Sequence, residues 1–194
     1  MTVAENSDKD RFLDVFFLRH GQSKAQTGEE TSLDSGLSES GRIQIGKAAA
    51  ALKGISFDRI LVSPLARAGE TAEIIVAGRP DPVLTDERLT ENTGSLQDHP
   101  AERAKSLYDE LCRLAEKNMV QRILLISHAL FCSTFLNGVF GVDSLPLIKP
   151  LYARLGNGRM GWLRISRRKD DPDILAGWNF SPQDLQNPQN GSFY

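Results

Sequence analysis

The chain has 194 residues, 40% of them hydrophobic, and a formal net charge of −2 at pH 7. That length supports one domain with a full core. The charge balance leaves no basic stripe or tail of the kind that binds nucleic acid, and no run approaches the roughly 20 apolar residues that span a bilayer. The opening, Met1 to Asp10, is polar and acid-leaning, without the basic and apolar regions of a signal peptide. Neither end carries a lipidation motif. No membrane partner and no nucleic acid are expected, and the cytoplasm is the expected compartment. Cys112 and Cys132 form neither a metal spacing nor a disulfide framework. Cys132 shares a helical stripe with Phe135, Leu136 and Val139, and Cys112 sits beside Tyr108 and Leu111, so both read as packing residues.

In chain order, Asp14-Val15-Phe16-Phe17-Leu18 is an apolar run that empties into Arg19-His20-Gly21. It reads as a buried strand of an α/β sheet, and reactive groups in such sheets gather beyond the strands' carboxyl ends. Taken alone, the tripeptide fits a strand-end histidine and arginine satisfied by carbonyls equally well. Gly21 is a position where backbone can approach a ligand closely. A long polar loop, Gln22 to Gly36, leaves the strand. A helix follows from about Ser38, its N-cap, to Lys53, with Ile45, Ala48, Ala49 and Leu52 on one face. Gly54 stops it.

Asp58-Arg59-Ile60-Leu61-Val62 reads as a second buried strand. Ser63-Pro64 then predicts a helix start, with serine as cap and proline at the first helical position, running to about Ala77 with Arg67 near its first turn. Val83-Leu84 reads as a short strand and Thr85 to His99 as a polar, turn-like stretch. The next helix spans about Pro100 to Lys117. Gln121 to His128 repeats the opening theme, an apolar strand delivering a histidine, and a helix over Ala129 to Phe140 follows. Leu151 to Ser166 predicts a hairpin around Gly156-Asn157-Gly158. The remainder, from Arg167 to Tyr194, reads as a polar tail docked by Trp178 and Phe180, with a loose extreme end. The strand–helix alternation implies right-handed crossovers and a mainly parallel sheet.

Parallel strands expose their carboxyl ends together, so this order brings Arg19, His20, Arg67 and His128 to one edge of one sheet. Two arginines and two histidines there make a pocket for a tetrahedral dianion, because guanidinium forks match phosphate oxygens and keep their charge. Two helix N-termini, after Ser63 and after His128, are expected to add partial positive charge.

Leu18-Arg19-His20-Gly21-Gln22-Ser23 resembles the signature of the histidine phosphatase (phosphoglycerate mutase-like) superfamily. Leu37 to Arg42 resembles its helix opening, Ser63-Pro64-Leu65-Ala66-Arg67-Ala68 with Thr71-Ala72 its second-arginine motif, and Ile126-Ser127-His128 its second-histidine strand. Arg88-Leu89-Thr90-Glu91, followed by Gly94 and Leu96, resembles the segment with the catalytic acid, although Asp86, Glu87 and Asp98 lie close by. The resemblance covers residues 13 to 166. It implies an α/β fold, a three-layer α/β/α sandwich with a mainly parallel sheet, as one domain over 13–168 between a polar segment 1–12 and an extension 169–194.

It also implies a phosphatase acting on a small phosphorylated substrate through a phosphohistidine on His20. Arg19, Arg67 and His128 would stabilise the transferred group, and Glu91 would serve as general acid and base. Glu91 would need a raised pKa beside a bound dianion. His20 must be neutral to attack, its other ring nitrogen held by an acceptor such as a backbone carbonyl. No metal or cofactor is expected, because the arginines fill the role of a magnesium clamp. Ser23 and Gln26 are the implied further substrate-binding residues, although Gln26 stands where family members often carry asparagine. Ala129 and Leu130 replace the usual glycine after the second histidine, adding bulk at the pocket wall.

The phosphoglycerate mutases carry an insertion with paired arginines before the second histidine, which Glu91 to His128 lacks. That difference favours hydrolysis over phosphoryl return. A mutase, a phosphohistidine protein phosphatase and an inactive phosphate-binding scaffold are the competing readings. Lys24, Arg103 and Lys105 are candidates for a second anionic group or plain surface charges. Oligomeric state is open, a homodimer included.

Overall fold

Residues 13, 15 and 17 of the first strand face one hydrophobic cluster, while 16 and 18 face another. A strand whose alternate side chains are all buried needs cover on both sides, and helices supply it. The computed structural model describes residues 11–141 and 152–186, so the expectations for residues 1–10, Leu151 and the tail end fall outside them. Six strands form one sheet: β1 (Phe12–Arg19), β2 (Arg59–Val62), β3 (Val83–Thr85), β4 (Arg122–Ser127), β5 (Met160–Ser166) and β6 (Ile174–Phe180). The helices are α1 (Lys24–Thr27), α2 (Glu39–Leu52), α3 (Ala66–Val76), α4 (Pro100–Glu116) and α5 (Ala129–Val139).

The strand order is β3-β2-β4-β1-β5-β6. The first four strands run parallel, and β5 and β6 join antiparallel. Helices α4 and α5 pack with Val15, Phe17, Ile123 and Leu125 on one face; α2 and α3 pack with Phe16, Leu18, Leu124 and Ile126 on the other. The expected three-layer α/β/α arrangement with a mainly parallel sheet is therefore present. Ser38 caps α2 as the sequence predicts, its Oγ accepting from the Gly41 N–H at 3.1 Å.

Two expectations are corrected. The hairpin predicted over Leu151–Ser166 exists only in its second limb, β5. Residues 152–159 form no strand, because the Gly156–Gly158 turn is bonded to the end of β1: the Gly158 N–H reaches the carbonyls of Arg19 at 3.0 Å and His20 at 3.3 Å. The partner of β5 lies in the segment expected to be a polar tail. There β6 adds the edge strand, with the Trp178 ring against Gly161 and its Nε1–H donating to the Ala153 carbonyl at 3.2 Å.

The close approach at Gly21 also differs from expectation. It is made by protein backbone: a Cβ on Gly21 would lie 2.8 Å from the Gly41 carbonyl oxygen, and one on Gly41 would lie 2.0 Å from that of Gln22. The two glycines let the start of α2 press against the exit of β1.

Phe17 is fully buried at the sheet centre, with ring centroids 5.3 Å from Phe135 and 5.7 Å from Trp178. Phe17→Ala should cost about 3–5 kcal/mol, read as a lower urea midpoint with an unchanged m-value.

Candidate active site

Strands β1, β2 and β4 end side by side, and each releases a site residue at its carboxyl end: Arg19 and His20, Ser63, and His128. The imidazole centroids of His20 and His128 are 5.0 Å apart. Arg67, in the first turn of α3, donates from Nε to His20 Nε2 at 3.2 Å. Four side chains from three distant segments of the chain thus meet in one place, as the strand order predicts.

His20 is 4% exposed and held on both sides. Its Nδ1 lies 2.7 Å from the Gly21 carbonyl oxygen. A carbonyl only accepts, so Nδ1 carries the hydrogen and Nε2 keeps the lone pair that Arg67 approaches. Burial pushes the His20 pKa down to about 3. The Gly21 carbonyl opposes that shift, and the charges of Arg67 and Arg19 add to it. His128, fully buried, is also pushed well below the ordinary histidine value, by burial first and then by His20, Arg67 and Arg19. Both rings are neutral at pH 7.

The two guanidiniums are fastened by backbone. Arg19 donates from Nη1 to the Leu155 carbonyl at 2.8 Å, and Arg67 from Nη1 to the Leu33 carbonyl at 2.9 Å. Burial lowers the pKa of each, and the charge of Glu91 offsets part of that in both. Two buried polar atoms of the site, Arg19 Nε and His128 Nδ1, have no partner among the described residues. An anion arriving between the rings would meet donors already desolvated.

Glu91 is placed by its neighbours. Leu89 is buried in the core and its carbonyl accepts from Ser127 Oγ at 2.7 Å, next to His128. Arg103 Nη1 holds the carbonyls of Arg88 and Thr90, at 2.7 and 2.8 Å. The Glu91 carboxylate accepts from the N–H groups of Asn92 (2.9 Å), Phe131 (3.0 Å) and Leu130 (3.4 Å). It therefore sits on the N-terminus of α5, directly after His128.

That placement changes the expected electrostatics. The first amides of α5 serve Glu91, and the Ala66 N–H at the start of α3 donates to Asp34 Oδ1 at 2.7 Å. Both helix starts are thus occupied by carboxylates, not held open for a ligand. Helix α3 also begins later than predicted, with Leu65 as N-cap. Ser63 does not cap it; its Oγ lies 2.7 Å from His128 Nε2.

Ser23 and Gln26 brace the loop. The Gln26 Oε1 accepts from the Ser23 N–H at 3.0 Å and from Asn157 Nδ2 at 3.1 Å. Asn157 in turn donates from Nδ2 to the His20 carbonyl at 3.1 Å. Ser63 and Asn157 are the residues that sequence reasoning missed, although each lies in a segment it singled out. The cations proposed for a second anion are engaged elsewhere: Lys24 with Glu30 (2.8 Å), Lys105 with Asp109 (2.7 Å), and Arg103 with Asp98 (2.8 Å).

The depressed His20 pKa has a thermodynamic signature. Between pH 6.5, the ordinary value, and about 3, the unfolded chain binds a proton at position 20 that the native state refuses. The His20 contribution to native stability falls as the pH drops through that window and levels off below it. His20→Asn should remove part of this slope, as read from urea midpoints at about pH 7 and about pH 5.

Comparison with known proteins agrees with the fold. A mycobacterial glucosyl-3-phosphoglycerate phosphatase superposes with a TM-score of 0.70 at 22% identity, over 87% of this chain and 100% of that one. An Entamoeba histolytica phosphoserine phosphatase gives 0.67 at 21%, over 87% and 98%. The protein histidine phosphatase SixA gives 0.66 at 21%, over 89% and 99%. At the sequence level, 80 residues are 39% identical to the 2,3-bisphosphoglycerate-dependent phosphoglycerate mutase of Thermoplasma acidophilum. That stretch spans 40% of this chain and 40% of the mutase. The model of the histidine phosphatase superfamily (branch 1) matches residues 15–112, which include His20, Arg67 and Glu91. The chain belongs to the histidine phosphatase superfamily.

Proposed function

We propose that the protein is a metal-independent phosphatase that hydrolyses a phosphate monoester through a phosphohistidine on His20. The observation that carries this reading is the state of the His20 ring. Gly21 anchors Nδ1, and the lone pair of Nε2 is presented beside Arg67.

In the first step Nε2 attacks phosphorus, and the P–O bond to the alcohol breaks with its electron pair going to the leaving oxygen. Glu91, in its protonated form, gives that oxygen its proton. In the second step water attacks phosphorus, Glu91 takes its proton, and the P–N bond breaks to release phosphate and free His20. The transferred group passes through a loose, in-line transition state whose charge sits on the equatorial oxygens. Arg19, Arg67 and His128 supply preorganised donors for those oxygens, and the two guanidiniums provide positive charge without a metal.

A mutase reading is favoured by the local match to a phosphoglycerate mutase. The short connection from Glu91 to His128 argues for hydrolysis, since it carries no insertion to exclude water.

His20→Ala should lower p-nitrophenyl phosphate hydrolysis by on the order of 10³-fold or more, and EDTA should leave the wild-type rate unchanged. Near-normal turnover in that variant would remove the mechanism. Phosphate retained stoichiometrically on a second substrate would favour the mutase, and an inert wild type that still binds vanadate would favour a scaffold. Glu91→Gln should cost on the order of 10²–10⁴-fold on alkyl phosphates. On p-nitrophenyl phosphate it should cost less in the first step, because that leaving group departs without a proton.

A further inference from the structure

Ser63 is 1% exposed and sits at the end of β2, beside the end of β4. Its hydroxyl has a single hydrogen to give. The oxygen accepts from the Leu65 N–H at 3.4 Å and lies 2.7 Å from His128 Nε2. Among the described residues it has no other bonded partner, and Nε2 is the one acceptor there within reach of its O–H. Donation to Nε2 requires a lone pair there. The ring is neutral, since burial and the surrounding positive charge oppose its protonation. A neutral ring with its lone pair on Nε2 carries its hydrogen on Nδ1. Nδ1 is buried and has no partner among the described residues.

We propose that Ser63 is a positioning residue that sets the tautomer of His128, holding its Nδ1–H as a donor reserved for an oxygen of the transferred phosphoryl group. The inference rests on the phosphoryl-transfer reading above and adds to it how the second histidine is committed. The two rings are then set in complementary ways. On His20 the Gly21 carbonyl takes the Nδ1 hydrogen and leaves the lone pair on Nε2, beside Arg67. On His128 the Ser63 hydroxyl covers the Nε2 lone pair and leaves Nδ1–H to donate. The opposite tautomer would turn a lone pair towards the oxyanion and replace an attraction with a repulsion. A side chain holding a neutral histidine in the useful tautomer is a familiar catalytic device; here a serine fills that place.

The test is a ¹⁵N-resolved NMR spectrum of the imidazoles in the resting wild-type protein near neutral pH. The chain has 3 histidines, and His128→Asn assigns the signal. His128 should show a hydrogen-bearing Nδ1 and a lone-pair Nε2. In Ser63→Ala the two nitrogen shifts should move towards each other or exchange. Its kcat should fall by about 10- to 100-fold, less than the 10²–10³ lost when a donor is removed outright, because the freed ring still samples the productive tautomer. A wild-type His128 with its hydrogen on Nε2 overturns the proposal. So does a folded Ser63→Ala with unchanged nitrogen shifts and unchanged kcat. Because the tautomer is read in resting protein, it succeeds or fails separately from the catalytic reading.

Discussion

The carbonyl of Gly21, 2.7 Å from His20 Nδ1, decides which nitrogen of that ring is free to react. Arg67 Nε, which can only donate, selects the same tautomer from the other side of the ring. The carbonyl is itself fixed. The Gly21 N–H donates to Thr71 Oγ1 at 3.2 Å, Thr71 Oγ1 donates to the Arg67 carbonyl at 2.7 Å, and Arg67 Nε returns to His20 Nε2. The ring, the peptide that orients it and the guanidinium beside it form one closed circuit of hydrogen bonds. Side chains locked in this way keep their geometry without reorganising at the moment of reaction.

Most buried polar groups here are spent on one another, which makes the unspent ones informative. A buried donor without a partner costs roughly 1–3 kcal/mol. Arg19 Nε and His128 Nδ1 both bear that cost, and both belong to the site. The cations around them do not share it. Arg103, Lys24 and Lys105 are paired with acids.

Much of this was legible in the sequence. Apolar runs ending in histidine, separated by helical patterns, dictate parallel strands, and parallel strands bring their ends together. Arg19, His20, Arg67 and His128 converge for that reason. What escaped reading depends on contacts between segments. Ser63-Pro64 has the local form of a helix start, and only the arrival of His128 draws the serine away from it. Glu91 and Asp34 reach helix starts that look open when each helix is read alone. The edge strand β6 was hidden because Ile174–Phe180 is exposed or half-buried up to its last residue and carries no clean alternation of burial. Gln26 looked like a ligand for phosphate. Its amide is instead matched by Asn157, 131 positions further along the chain.

The Gly156–Gly158 turn carries a consequence for how the protein assembles. Asn157 and Gly158 hold the backbone of Arg19 and His20 across 137 positions of sequence. Closing a loop of that length is slow relative to forming local helices. The central parallel strands and their helices can therefore come together before the backbone of His20 is braced. A nascent chain that has not yet delivered residue 157 holds His20 without that brace.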